Sequence, residues 1–179
     1  MKIRARLVLF SMIAASLLSV FVFKNTNAED LTSDQTKRIE ANCLSIKGSL
    51  NQLHASDALL RVNRGQIYES VGTKLMNNFN ARLGNNGLDN KGLIVVANEY
   101  QAALTTFRSD YQDYEKQLSA TIKIDCTSDP IDFNGALEDS RTKRNTLHTD
   151  ILHLNQYIDD YRSSVNDFML NFDRVTGKK

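Results

Sequence analysis

Asp57, Arg61, Arg64 and Arg144 are charged side chains in stretches whose spacing aims several of them inward. In the first stretch apolar residues recur at Ile39, Cys43, Ile46, Leu50, Leu53, Leu60, Ile67 and Val71, and Asp57 and Arg64 fill the inner places between them. Arg61 lies one turn from Asp57, and Ser140 and Arg144 fill two comparable gaps in the last stretch. Tyr111 and Tyr114 belong to the middle stretch, at a similar height. Two chemistries suit such a set. The groups can satisfy one another and fix helix register, because a buried charge is tolerated only when it is paired. Alternatively, Arg61, Arg64 and Arg144 can grip a carboxylate or phosphate, since the guanidinium fork matches those anions. The first reading predicts short contacts from Asp57 to arginine; the second predicts an open cavity beside it.

Other candidate chemistry is thin. His54, His148 and His153 form no H-x-x-x-H pair, and His54 and His148 sit one place off the apolar seam, so they read as surface groups and not as metal ligands. No H-E-x-x-H, nucleophile-elbow or phosphate-loop pattern occurs. Glu138-Asp139 and Asp159-Asp160 are adjacent on helices and point apart. Tyr100, Phe107, Tyr111, Tyr114, Tyr157 and Tyr161 follow helical spacing and read as core. Catalysis and a cofactor are therefore not expected.

Helices must position these residues. Apolar side chains recur at a mean spacing of about 3.5 through Leu93, Ala97, Tyr100, Leu104, Phe107, Tyr111, Tyr114 and Leu118. They recur again through Phe133, Leu137, Leu147, Ile151, Leu154, Ile158, Tyr161, Val165, Phe168 and Phe172. The breaks are LGNNGLDNKG at 83–92 and CTSDP at 126–130. Thr32-Ser33-Asp34-Gln35 opens the first segment with a capping-box pattern, and the spacing shifts to fours after Val71, through Leu75, Phe79 and Leu83. Gly65 and Gly72 share one face and can admit a close neighbour. The expected fold is all-α, an elongated antiparallel three-helix, up-down-up bundle of coiled-coil character, with helices over about 33–83, 90–122 and 130–173. A break near His54 to Asp57, with Ser56 as cap, would make four helices instead. Folding the first helix on the second brings Cys43 near residue 131, a few residues from Cys126.

Those two cysteines and the N-terminus bear on compartment. Residues 1–28 combine basic Lys2, Arg4 and Arg6 with an apolar run from 7 to 23 and a Thr26-Asn27-Ala28 cleavage pattern. They read as a signal peptide, with a retained N-terminal membrane anchor as the alternative. Residues 29–179 then form a single domain carrying 18 Lys and Arg against 21 Asp and Glu, a formal charge of −3. A mildly acidic body argues against nucleic acid as partner. Cys43 and Cys126 are expected to pair in an oxidising, extracytoplasmic compartment.

The stretch LHASDALLRVNRGQIYESV, followed by LMNNFNARL, resembles uncharacterised exported all-helical bacterial proteins with one disulfide. The resemblance implies an exported helical fold and brings no activity. The function expected is that of an interaction or scaffold protein of the bacterial envelope or extracellular space, meeting a protein partner. A membrane would be involved only through a retained N-terminal segment. The alternative is a binding or sensor protein for a small anionic or apolar ligand held at the polar layer.

Overall fold

The computed structural model describes residues 31–176, and every element among the described residues is helical. The apolar run and cleavage pattern of residues 1–28 lie outside them. Helix α1 spans Ser33–Ser70 and passes without a break into a π-helical segment, Val71–Met76, and then α2, Asn77–Asn85. Helices α3, Lys91–Lys123, and α4, Pro130–Thr176, follow. Thr32 starts α1 with the anticipated capping box: its hydroxyl accepts from the Gln35 N–H at 3.3 Å, and the Gln35 side chain accepts from the Thr32 N–H at 2.8 Å. The chain stays helical through His54 to Asp57, so the alternative break there is not made. The irregularity falls on the π segment.

Both turns follow from local chemistry. After α2, Gly87 takes a positive φ of 67°, and the Leu88 N–H reaches back to the Leu83 carbonyl at 3.0 Å, the closure of a Schellman motif. Before α4, the Asp125 carboxylate accepts from the Thr127 N–H at 2.9 Å and its carbonyl from the Asp129 N–H at 2.8 Å. Pro130 then occupies the first helical position, where its missing N–H removes no bond.

Contacts between helices come in an ordered series. Cys43 is disulfide-bonded to Cys126 with Cα atoms 5.4 Å apart, and the Lys47 ammonium donates to the Ile124 carbonyl at 3.1 Å. Further along, the Tyr100 hydroxyl donates to the Tyr68 carbonyl at 2.8 Å, and the Asn80 amide meets the Leu93 carbonyl at 3.4 Å. Partner numbers on α3 and the turn after it fall as those on the first arm rise. On α4 they rise together: Asp57 meets Arg144, and further along the Tyr161 hydroxyl donates to Asn80 Oδ1 at 2.8 Å, where Phe168 also packs edge to face on Phe79.

The core runs along α3, which buries Leu93, Ala97, Tyr100, Leu104, Phe107, Tyr111, Tyr114 and Leu118, and is completed from α4 by Phe133, Leu147, Leu154 and Tyr161. The first arm departs from the heptad expected of it. It buries nothing between Leu50 and Tyr68, and Leu60 is exposed. Ile67 is 59% exposed while Tyr68 is 5% exposed, and Leu75 is 63% exposed against 1% for Met76. From Asp57 to Tyr68 the inner face advances by eleven residues, the repeat of a nearly straight helix. Steps of four through Gly72 and Met76 then continue the face, because the π segment widens the turn. Gly72 sits where a Cβ would come within 3.2 Å of the Tyr100 ring, whereas Gly65 meets open space.

Candidate functional site

Asp57 stands in the stretch of α1 that has no fully buried residue, and polar groups hold that stretch to its neighbours. Asp57 Oδ2 accepts from the Tyr114 hydroxyl of α3 at 2.7 Å and from Arg144 Nε of α4 at 2.9 Å. Oδ1 accepts from Arg144 Nη2 at 3.3 Å, which makes the guanidinium contact bidentate. One carboxylate thereby clasps all three long helices. Burial pushes the Asp57 carboxyl upward, but the bonds from Arg144 and Tyr114 outweigh it and hold the group below its ordinary range. Those bonds raise Arg144, and burial together with Asp57 drives the Tyr114 phenol far up. At neutral pH the clasp is a carboxylate, a guanidinium and a neutral phenol.

The remaining residues of the sequence-derived polar layer separate into distinct roles. Arg61 does not bond Asp57; its guanidinium lies 5.2 Å from the centre of the Tyr111 ring, a cation–π contact. Tyr111 packs edge to face with Tyr114 at 6.4 Å. Arg64 is exposed on α1 and makes no ion pair among the described residues. Ser140 leaves the group altogether. Its hydroxyl pairs with that of Thr121 at 3.0 Å and donates to the Ala136 carbonyl at 2.9 Å, a neutral α3–α4 contact nearer the disulfide. Serine is short and prefers the carbonyl one turn back on its own helix, so equal height did not bring it to Asp57.

Beside the clasp, α1 and α4 enclose an open cleft of about 640 Å³. Its apolar surface comes from Leu60 and Tyr68 of α1, Phe107 of α3, and Leu147, Ile151 and Leu152 of α4. Arg61, Arg64 and Arg144 bring the positive groups, and Asn145, His148 and Asn155 add further polar ones. On the other side of the clasp a second space of about 350 Å³ lies among Ile46, Leu50, Leu53 and Leu137, and Tyr114 and Arg144 border both. The arginine contacts and the open cavity, two outcomes set against each other on sequence, occur side by side.

Sequence reasoning did not single out Leu152, which neighbours the seam residue Ile151 and turns toward the cleft. Nor did it find Asp150, buried where burial and the Asp110 carboxylate raise its pKa. The signal for Asp150 was weak: it lies between seam positions, and only the meeting of α3 with α4 brings Asp110 near. His54 approaches Glu115 at 3.8 Å. Among the described residues no group of three or more His, Cys, Asp or Glu side chains is placed to hold a metal ion, and no helix is long and apolar enough to cross a membrane. No protein-family model matches this chain, no curated protein matches it, and no solved structure matches it.

Proposed function

We propose that the protein is a non-enzymatic interaction module of the bacterial envelope or extracellular space, with the α1–α4 cleft as its binding face. The observation that carries this reading is the gap itself. Over most of its middle α1 meets the rest of the bundle through polar contacts, leaving apolar side chains such as Leu60 and Leu152 in contact with solvent. A stretch serving only to close a core would bury them. The scaffold around the cleft is an antiparallel, up-down-up three-helix bundle of coiled-coil character, supported by the opposed order in which the first arm, α1 to α2, meets α3 and the parallel order in which it meets α4, at Asp57–Arg144 and then Asn80–Tyr161. Export rests on residues 1–28, read as a cleaved signal peptide, and is supported by the Cys43–Cys126 disulfide. The resemblance to exported helical bacterial proteins points the same way.

A second reading, a carrier or sensor for a small ligand, is favoured by the size of the cleft and its cationic groups; its volume falls within the roughly 300–1,000 Å³ of small-molecule sites. The test of the binding face is a comparison of immobilised wild type with a Leu60→Glu/Leu152→Glu variant in envelope extract. The wild type should retain a component that the variant loses, while both keep the same far-ultraviolet circular dichroism. Equal recovery by the two would remove the cleft from the account.

A further inference from the structure

The cleft beside the clasp has a charge balance that narrows what can fill it. Arg144 is already neutralised by Asp57, whose carboxylate accepts from it through both oxygens. Arg61 is held over the Tyr111 ring, and neither Arg61 nor Arg64 has a carboxylate partner among the described residues. Two guanidiniums therefore present uncompensated donors on the α1 side of a cavity whose other walls are largely apolar. An apolar molecule alone would leave those donors unanswered, and a small inorganic anion would leave the apolar walls wet. A ligand that meets both has an anionic head and one apolar chain.

We propose that this cleft binds a single-chain anionic amphiphile, its carboxylate or phosphate head on Arg61 and Arg64 and its chain against Phe107, Leu147 and Ile151. This rests on the reading of the cleft as the binding face and assigns its ligand class. Arginine suits the role because its planar fork takes either head group with two parallel bonds. The chain would be driven in by burial of apolar surface, at about 25 cal/mol per Å². The Asp57–Arg144–Tyr114 clasp bounds one end of the cleft, so chain length should be limited on that side.

Titration calorimetry on the purified protein tests this with dodecanoate and dodecyl phosphate, each below its critical micelle concentration. Dodecyltrimethylammonium and inorganic phosphate serve as the opposing probes. Saturable binding of either anionic amphiphile is expected, weakened at least tenfold in Arg61→Gln/Arg64→Gln and only partly restored in Arg61→Lys/Arg64→Lys, which keeps the charge but not the fork. Equal binding of the cationic amphiphile, equal binding of inorganic phosphate, an unchanged affinity in the double glutamine variant, or no saturable binding would each overturn it. If an envelope protein is still captured through Leu60 and Leu152 when no amphiphile binds, the binding face stands and only its ligand class is wrong.

Discussion

Two aspartates in this bundle respond to pH in opposite senses, and together they measure what the polar residues contribute. The pKa of Asp57 is depressed in the fold by Arg144 and Tyr114, so its stabilisation is present above the unfolded value and disappears as pH falls through the folded one. The pKa of Asp150 is raised by burial and by Asp110, so its favourable, protonated state exists at low pH and is lost as pH rises through the folded value. Asp57→Asn should therefore lower stability by about 1–2 kcal/mol near neutral pH, since hydrogen bonds to a charged group are broken, and the loss should shrink toward about pH 3. Asp150→Asn should raise stability near neutral pH and lose that advantage in acid. Urea unfolding of both variants at the two pH values is the check; shifts of the same sign at neutral pH would contradict it. The clasp was legible in the sequence because a charged residue at an inner place must find a partner. The Asp110–Asp150 pair was not, because neither residue interrupts the seam that marks the core.

At the scale of elements, the π segment decides how the first arm meets α3. The heptad spacing places Ile67 inside, and the spacing in fours that follows Val71 places Leu75 inside; the structure buries Tyr68 and Met76 instead. Spacing in fours after Val71 was visible as a change of period, but a periodicity argument assigns a face only while the helix keeps its turn. The long regular faces of α3 and α4 were readable for the converse reason: nothing in them changes the turn. Gly72 is tied to this element, since its missing side chain lets Tyr100 approach and donate to the Tyr68 carbonyl. Gly72→Ala should destabilise by about 1–3 kcal/mol through overpacking against the fully buried Tyr100 ring. Gly65→Ala meets nothing and should stabilise by roughly 0.5–1 kcal/mol through backbone entropy. Thermal unfolding of the two variants should show opposite signs seven residues apart; stabilisation by both would mean that the Tyr100 contact does not constrain the arm.

The helices combine into a bundle fastened unevenly. Near one end the Cys43–Cys126 bond closes a long loop, worth about 4–5 kcal/mol if chain entropy sets its effect. Toward the other, Tyr68, Met76, Asn80 and Leu83 pack against α3 and α4. Between these fastenings α1 is held mainly by the Asp57 clasp, and there the cleft opens. This arrangement is why a chain without a recognisable catalytic pattern still has a place suited to binding. The most direct test is photo-crosslinking in the producing cell, with p-benzoylphenylalanine placed singly at Leu60, at Leu152, and at the exposed α3 residue Val95. Leu60 and Leu152 should yield the same discrete adduct and Val95 should not. Adducts from Val95 alone, or the same adduct from all three positions, would contradict a binding face between α1 and α4.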